Sequence, residues 1–347
     1  MRFYTGRHAR YCGIDLHART MAVCIVDNDG HILVERNIRC EPAEFLGLIA
    51  PFREDLVVGA ECVFCWYWLA DLCAAEGLHF VLGHALYMRA IHGGKAKNDR
   101  IDAFKIASLL RGGNLPVSYV YPAEMRATRD LLRRRLHLVR ERGFLLAHVQ
   151  NTHHQYNMVP QAARIAHKCN REGVAERFAD PAVQKTVEVD LDVVGHLDGV
   201  IAELERHLER SVKVHDQDNF YLLRSVPGIG KVLAMTILYE IHDIARFPRV
   251  QDFASYARLI RPGKESAGKR TGGGGGAKIG NAHLKWAVSE AAVLMLRHGD
   301  VEKLMNRLRK KHGKAKAMGV LAHKLGRTIY YMLLRRKPFD LERFLAA

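Results

Sequence analysis

Residues 10–39 read RYCGIDLHARTMAVCIVDNDGHILVERNIR and decide the fold of the N-terminal part of the chain. Two apolar runs, 11–17 and 21–27, precede a third run, 31–39, in which apolar and polar residues alternate. The turn residues DNDG separate the second run from the third, and Asn, Asp and Gly between two such runs are typical of a β-hairpin. The stretch therefore predicts three consecutive strands, of which the last two form a hairpin.

Helices and strands alternate after this hairpin. EPAEFLGLIAPF has helical spacing with Pro42 suited to a first turn, and FCWYWLADLCAAEG predicts a helix that ends at Gly77. LVVGAE and LHFVLG predict short buried strands, and DRIDAFKIASLLRGG predicts a further helix after a basic loop. The order β-β-β-α-β-α-β-α predicts an α/β domain over residues 1–121, with a mixed five-stranded sheet and helices packed on it.

The pattern changes to helical repeats from Pro122 onward. Residues 124–156 and 197–212 carry apolar side chains in the alternating four-and-three rhythm of a coiled coil, and two such helices can pair within one chain or across a dimer. We expect a helical coiled-coil region over residues 122–215, in which residues 160–190 show little periodicity. Residues 216–347 predict a mostly helical, basic domain.

The composition indicates a polyanionic partner. The chain of 347 residues has 53 Lys and Arg against 37 Asp and Glu, a formal net charge of +16, which favours nucleic acid. No apolar run is long enough to cross a bilayer and no lipidation motif is present, so a membrane partner is disfavoured. Seven cysteines with a single C-x-x-C, Cys62 to Cys65, predict reduced thiols in a cytoplasmic, nucleoid-associated protein rather than a zinc ribbon.

Four carboxylates of the first domain form the candidate metal site. Asp15 lies within an apolar strand, where a lone carboxylate is costly unless it is paired or binds a cation, and Glu61 ends another strand. Asp99 and Asp102 lie three residues apart at a helix start and share one face. Singly, each acid has an ordinary structural explanation. Together they predict an Mg²⁺ or Mn²⁺ site, where two ions can clamp the attacking and leaving oxygens of a phosphodiester.

Two motifs of the last domain point to phosphate. In the PGIG turn at 227–230, resembling a helix-hairpin-helix element, Gly228 and Gly230 let backbone N–H groups approach a phosphate, and Lys231 adds charge; a simple turn is the alternative. The stretch KESAGKRTGGGGGAKIGN, 264–281, holds Ser266, a weak nucleophile that needs a base or metal for activation. Further nucleic-acid contacts are expected at Lys95, Lys97, Arg129, Arg133, Arg134, Lys264, Lys269, Arg270, Lys278 and Asn281.

The chain resembles the DEDD transposases of the insertion-sequence 110 family, RNA-guided recombinases of bacterial mobile elements with a RuvC-type RNase H domain. The resemblance lies in GIDLH, GAE and KNDRIDAFKIASLL of the first domain and in ARLIRP, Ser266 and KIGN of the last, so it covers essentially the full length. This sequence departs from the family pattern at Arg258, where a small residue is usual, and at Ala267, which separates the serine from its glycine.

The resemblance implies a mechanism and partners. Asp15, Glu61, Asp99 and Asp102 would be the metal-binding set, and Ser266 would attack DNA and hold one strand as a phosphoserine. Subunits of a dimer or tetramer would combine acids and serine on the element ends and target DNA. A structured guide RNA would select the DNA by base pairing, while the protein reads backbone and shape.

Other functions remain open at the level of sequence. A metal-dependent, structure-specific nuclease such as a junction resolvase explains the four acids with water as nucleophile, and a non-catalytic nucleic-acid scaffold explains the charge alone. Residues 13–32 also resemble the first phosphate motif of actin-like sugar kinases, but the second Gly-rich segment and the duplicated domain of that class are missing. Tyr256 is the other conceivable nucleophile, although its apolar helical surroundings indicate packing.

Overall fold

The computed structural model describes residues 2–91, 98–159, 161–260, 263–266, 269–271 and 279–346. It divides the chain into two compact units, Met1–Ala123 and Glu124–Ala347. The separation of residues 122–215 from 216–347 as two domains stays a prediction. None of the helices in these ranges is both long and apolar enough to cross a membrane.

The first unit is built on a mixed five-stranded sheet. Its strand order is β4-β3-β2-β5-β6, with β2–β3 and β3–β4 antiparallel and β2–β5 and β5–β6 parallel. A separate antiparallel pair, β1 with β7, was not predicted, because two-residue strands carry no periodicity. The strands are β1 (Phe3–Tyr4), β2 (Arg10–Leu16), β3 (Thr20–Asp27), β4 (Ile32–Arg39), β5 (Leu56–Glu61), β6 (His79–Gly83) and β7 (Leu115–Pro116).

Helices cover both faces of this sheet and confirm the predicted α/β fold class. They are α1 (Pro42–Ile49), α2 (Tyr67–Ala75), α3 (Ala85–Ile91) and α4 (Asp99–Arg111), of which only α3 was not predicted. Alternate residues of β2 enter different cores: Tyr11 packs in the cluster that contains Ile106 of α4, whereas Cys12 packs in the cluster of Phe45 and Leu69. Because side chains alternate along a strand, Asp15 shares the α4 face with Tyr11.

Gly13 lets α4 lie directly against β2. A Cβ atom at this position would collide with the backbone of α4, at the carbonyl oxygen of Ala103 and the amide nitrogen of Ala107. Only glycine therefore fits between the strand and the helix at their observed separation. The first turn of α4, which carries Asp99 and Asp102, begins one helical turn before this contact.

The second unit is mostly helical, as predicted. Its core gathers buried side chains of α8, α10 and α12 together with a few from the long helices α5 and α6. A two-stranded hairpin, β8 with β9, adds antiparallel pairing between α9 and α10. The elements are α5 (Ala123–Gln155), α6 (Pro181–His215), α7 (Gln217–Arg224), α8 (Lys231–Ile241), α9 (Val250–Tyr256), β8 (Lys264–Ser266), β9 (Lys269–Thr271), α10 (Ala282–Met295), α11 (Gly299–His312), α12 (Lys314–Arg335) and α13 (Leu341–Ala346).

The coiled-coil pattern predicted over residues 197–212 extends further toward the N-terminus of helix α6. The buried residues Val187, Val194, Ile201 and Leu208 lie seven positions apart, which is the heptad spacing of a coiled-coil helix. The helix begins after Asp180, whose carboxylate accepts hydrogen bonds from the backbone N–H groups of residues 182 and 183. The Asp-Pro pair at 180–181 is a helix-start signal inside the stretch that periodicity left unassigned.

The seven cysteines are free thiols in the structure. Cys12, Cys24 and Cys73 are buried, and burial raises the pKa of Cys73 to about 12. Cys62 and Cys169 are exposed. Buried thiols with raised pKa values are packing groups rather than nucleophiles.

Candidate active site

Asp15 and Glu61 come from neighbouring parallel strands. The pairing of β2 with β5 ends at Ile14 opposite Ala60, so the next residue on each strand is one of the two acids. The side chain of Asp15 is 14% exposed, and Glu61 is half-buried. The sheet therefore fixes the backbone of both carboxylates at one edge, as the sequence predicted.

His17 joins Asp15 to the acid at the start of α4. Its Nε2 atom lies 3.4 Å from Oδ2 of Asp15 and 3.5 Å from Oδ2 of Asp99. One ligand atom from each of the three residues lies within 4.8 Å of the other two, a spacing at which they can share one metal ion. His17 was not among the predicted site residues. The signal was available in GIDLH, because a residue two positions after Asp15 returns to the same side of an extended chain.

Asp102 lies one turn further along α4. Its Oδ1 atom is 2.9 Å from Nζ of Lys105, and both side chains are about one-quarter exposed. Asn98 caps the helix by accepting a hydrogen bond from the backbone N–H of Arg100. The structure thus brings Asp15 and Asp99 together through His17. Asp102 lies on α4, the helix of Asp99, and is ion-paired with Lys105.

A second acidic group with a histidine lies at the β3–β4 turn, where Asp27, Asp29 and His31 also have ligand atoms within 4.8 Å of one another. Here Oδ1 of Asp27 accepts hydrogen bonds from three backbone N–H groups, those of residues 29, 30 and 31, at 2.7–2.9 Å. This carboxylate stabilises the hairpin turn that DNDG predicted. Asp27 therefore serves the structure of the turn, which distinguishes it from Asp15 on β2 and Asp99 on α4.

The donor set around His17 suits a hard divalent cation. Carboxylate oxygens are the ligands preferred by Mg²⁺ and Mn²⁺, and imidazole is accepted by Mn²⁺ and other transition ions. Two carboxylates held within reach of one atom repel each other unless a cation or proton lies between them. Asp15, His17 and Asp99 could hold such an ion. A role for Glu61 and Asp102 as further ligands stays a prediction.

The serine stretch forms a hairpin in the second unit. Ser266 is the last residue of β8 and pairs with Lys269 of β9, and Lys264 pairs with Thr271. The backbone therefore places Ser266, Lys264, Lys269 and Arg270 on one short two-stranded element. Lys95, Lys97 and Lys278, which were predicted to contact nucleic acid, lie outside the described residues.

Asn281 has a structural position that corrects its predicted contact with nucleic acid. It is 6% exposed, and its Oδ1 atom accepts a hydrogen bond from the backbone N–H of Leu284 at the start of α10. Its Nδ2 atom donates to Glu240 at 2.7 Å and to the hydroxyl of Tyr256 at 3.0 Å. These bonds direct the amide into the protein rather than toward a ligand.

The three arginines of α5 that were predicted to contact nucleic acid differ in their exposure and partners. Arg129 is buried, and its Nε donates to Glu240 at 2.9 Å, so its predicted contact with nucleic acid is wrong. Arg133 is partly exposed and donates to both oxygens of Glu240, whereas Arg134 is exposed. Sequence spacing could not sort these arginines, because their partner lies more than one hundred residues downstream.

Glu240 is an ionised carboxylate inside the second unit. Its side chain is 2% exposed, and burial alone would raise the pKa of this group. The hydrogen bond from Arg133 and the charges of Arg129 and Arg133 outweigh burial and lower the pKa of Glu240 to about 2. The cluster of one carboxylate with two guanidinium groups is therefore charged and compensated at neutral pH.

The PGIG turn joins α7 to α8, but Gly228 serves packing. Its φ of +87° is in the left-handed region, and a Cβ there would lie 2.7 Å from the backbone nitrogen of Met295 in α10. Gly230 is the N-cap of α8 and has open space around its Cα. Lys231 forms an ion pair of 2.8 Å with Glu209. Phosphate binding by Gly230 and Lys231 stays a prediction.

Two family models match separate parts of the chain. The model for DEDD transposases of IS110, described as "Transposase", matches residues 12–158, the span that holds the four acids and His17. The model described as "Transposase IS116/IS110/IS902 family" matches residues 221–307, the span that holds Ser266, Glu240 and Asn281.

Similar proteins agree with these matches. The chain is 22% identical over 335 residues to a transposase for insertion sequence element IS1111A of Coxiella burnetii, covering 94% of this chain and 90% of the relative. It is 27% identical over 208 residues to a putative transposase, y4qE, of Sinorhizobium fredii, covering 58% of this chain and 48% of that one. The solved structure of T. thermophilus RuvC in complex with a Holliday junction substrate is 15% identical, with a TM-score of 0.24 over 32% of this chain and all of that chain.

The N-terminal and the C-terminal parts of the chain therefore both match models of transposases, and a related transposase aligns along nearly the whole chain. The match covers the acids of the α/β unit and the serine hairpin of the helical unit. The chain belongs to the IS110 family of DEDD transposases.

Proposed function

We propose that this transposase cuts and rejoins DNA at element ends and target sites with divalent metal ions and Ser266 as nucleophile. The observation that carries the proposal is the meeting of Asp15 and Asp99, from a strand and a helix, around one imidazole. Glu61 ends the adjacent parallel strand. Such a cluster of carboxylates is stabilised when a cation neutralises it, and a divalent cation there can promote phosphodiester cleavage.

The acids have distinct supports in this mechanism. Asp15 and Glu61 are ligands fixed by the sheet, while Asp99 and Asp102 are ligands fixed by the first turn of α4. A bound Mg²⁺ or Mn²⁺ would lower the barrier by neutralising charge on the attacked phosphate. Lys105 holds Asp102 in place by an ion pair, and His17 orients the carboxylates of Asp15 and Asp99.

Ser266 is the proposed nucleophile. Its Oγ would form a bond to the DNA phosphorus as the bond to one strand's bridging oxygen breaks, and the serine proton would leave to a base or solvent while the departing oxygen gains one. The phosphoserine keeps the energy of the broken phosphodiester, so the second strand can attack without another energy source. Lys264, Lys269 and Arg270 lie on the same hairpin and would favour a negative phosphate there.

A guide RNA and a homo-oligomer complete the proposal. The net charge of +16 favours a polyanionic partner, and a structured RNA would choose the DNA by base pairing. Arg134 and the last turn of α11, with Arg309, Lys310 and Lys311, offer cations outside the acidic unit. A dimer or tetramer would bring acids and serines to two DNA duplexes.

A trapping experiment tests the nucleophile. Purified protein, guide RNA and labelled element-end DNA are incubated with Mg²⁺ and denatured, and DNA attached to protein is measured. The native chain should give an adduct that Ser266→Ala and Asp15→Asn lose. Asp29→Asn is the matched control, because it removes an acid of the other Asp–Asp–His group. Native cleavage by Ser266→Ala would instead identify a nuclease that uses water.

A further inference from the structure

Two hydrogen bonds close the chain at the base of the Ser266 hairpin. The backbone N–H of Asn281 donates to the carbonyl of Tyr256 at 2.6 Å, and Nε of Arg258 donates to the carbonyl of Gly280 at 2.9 Å. Tyr256 and Arg258 precede β8, whereas Gly280 and Asn281 follow β9. The segments that enter and leave the hairpin are therefore held side by side; we call these four residues the stem.

The stem has a backbone geometry that few residues permit. Arg258 has a φ of +52° and Gly280 a φ of +96°, both in the left-handed region. A Cβ at Gly280 would lie 2.6 Å from the carbonyl oxygen of Tyr256. The guanidinium carbon of Arg246 lies 4.6 Å from the ring centre of Tyr256 and covers it. The stem is thus one defined conformation rather than a slack connection.

The side chain of Asn281 attaches this stem to two helices. Its Nδ2 donates to Oε2 of Glu240 on α8, and the same carboxylate accepts three further hydrogen bonds from Arg129 and Arg133 on α5, at 2.7–2.9 Å. Four bonds fix the orientation of this single buried carboxylate. The position of the hairpin exit is therefore set by α5 and α8, through Glu240.

Fold stability does not by itself explain such a cluster. A buried ion pair contributes little net stability compared with apolar side chains of the same volume, although breaking it is costly. A buried, hydrogen-bonded ion pair does supply a defined geometry, because the donor groups must point at the oxygens of one carboxylate. A defined geometry matters most where a reacting group must be placed, and a misplacement of about 1 Å can cost about 100-fold in rate.

We propose that Glu240, Arg129, Arg133 and Asn281 form a positioning site for the Ser266 hairpin. Their proposed part is to fix the stem, whose residues precede β8 and follow β9 along the chain. The proposal rests on the proposed role of Ser266. It assigns a catalytic consequence to Arg129, Arg133 and Asn281, for which the sequence indicated only contact with nucleic acid, and to Glu240, which the sequence did not single out.

The test variant is Asn281→Ser. Serine is as good an N-cap as asparagine, so the bond to the N–H of residue 284 is kept while the donors to Glu240 and Tyr256 are lost. The matched control is Asp216→Ser, which keeps the cap of α7 and loses one bond to the side chain of Asn219, far along the chain from the hairpin. Both variants are compared with the native full chain bound to guide RNA.

Three quantities are measured: covalent adduct formation at saturating DNA, the Kd for DNA, and the Tm. For Asn281→Ser we expect adduct formation about 10- to 100-fold slower, with the Kd within about 2-fold and the Tm close to that of Asp216→Ser. Native-like adduct formation by Asn281→Ser overturns the proposal. Equal rate losses in both variants also overturn it, because the effect would then follow stability alone.

A reversal of the hydrogen bond gives a second test. Asn281→Asp removes the donor of the link, and Glu240→Gln replaces one of its two acceptor oxygens by an NH₂ group. The double variant can restore a donor–acceptor pair with the charges exchanged and the total charge unchanged. We expect the double variant to react faster than either single variant. A double variant as slow as the product of the two single effects would contradict a direct link.

The positioning role can be separated from the chemistry of Ser266. Hydrogen exchange at the amide of residue 281, which donates to the carbonyl of Tyr256, reports the stem without DNA. We expect exchange about 10-fold faster in Asn281→Ser than in Asp216→Ser. If the native chain forms no adduct while exchange changes as expected, the nucleophile proposal fails alone. If adducts form but exchange and rate stay native in Asn281→Ser, the positioning proposal fails alone.

Discussion

The two units each contain a cluster of charged side chains, and the clusters are built in opposite ways. In the first unit, Asp15 and Asp99 meet at the imidazole of His17, and the side chain of Asp99 is 52% exposed. In the second, Glu240 is 2% exposed and has two arginines as partners. The open cluster can exchange its partners for a ligand, whereas the closed cluster is compensated by arginines of the chain itself.

This difference shows how one type of group acquires two roles. A carboxylate at a sheet edge, accessible to solvent, can exchange its partner for a metal ion or substrate. A carboxylate that accepts four internal hydrogen bonds cannot exchange them without loss of folding free energy. Changes in the open cluster should therefore reduce activity at constant stability, and changes in the closed cluster should reduce stability as well.

The largest effect is expected for Asp15→Asn. Loss of one ligand should lower DNA cleavage by about 10⁴-fold, about 5 kcal/mol in activation free energy. The Tm should stay near the native value or rise, because repulsion with Asp99 is removed. Manganese binding followed by electron paramagnetic resonance should weaken in Asp15→Asn and not in Asp29→Asn. Full cleavage by Asp15→Asn would end the metal-site interpretation.

Glu240→Ala should act on stability. Removing the carboxylate takes away the shared acceptor of the buried Arg129 and the partly exposed Arg133, which should lower the free energy of unfolding by about 4 kcal/mol. Urea unfolding monitored by circular dichroism measures this change. A loss below about 1 kcal/mol would show that the two clusters do not differ as described.

The same carboxyl predicts a pH dependence. Its pKa falls from an ordinary 4.5 to about 2 in the folded chain, so it contributes stability above pH 4.5 that is lost as the pH falls toward 2. The contribution amounts to about 3 kcal/mol at full ionisation. Urea unfolding at pH 7, 4 and 3 should show a steeper loss for the native chain than for Glu240→Gln. Parallel profiles for the two proteins would contradict the assignment.

Gly228→Ala tests the packing role of the PGIG turn. The left-handed φ and the backbone of Met295 at 2.7 Å from a Cβ should together cost about 2 kcal/mol. The Tm and DNA affinity of the variant are measured together. If Gly228 served phosphate binding instead, affinity would fall at an unchanged Tm.

The smallest effect on stability is expected for Lys231→Met. The pair with Glu209 is solvent-accessible, so its loss should change the free energy of unfolding by about 0.5 kcal/mol or less. If Lys231 also contacts a phosphate, the slope of log Kd against log salt concentration should fall by about one. An unchanged slope would assign Lys231 to the protein surface alone.

The first unit was readable from sequence because its signals are local. Alternation and the DNDG turn predicted its main strands, and the order of these strands placed Asp15 and Glu61 on one sheet. His17 was missed because it lies beyond the end of β2, although its two-residue spacing from Asp15 is visible in GIDLH. Sequence also misplaced Arg129 and Asn281, since both bind Glu240 from positions 111 and 41 residues away. Contacts over such separations leave no trace in a single sequence.

The contact at Gly13 gives the acids a spacing that side-chain volume does not control. At Gly13 the backbone of β2 lies against the backbone of α4, so side chains elsewhere in the core can be substituted without altering the distance between this strand and this helix. Any side chain at position 13 would act as a wedge and push Asp99 and Asp102 away from Asp15. The absence of a Cβ atom at Gly13 therefore sets the distance between the acids of β2 and those of α4. We expect Gly13→Ala to inactivate the enzyme although every acidic residue of the site is still present.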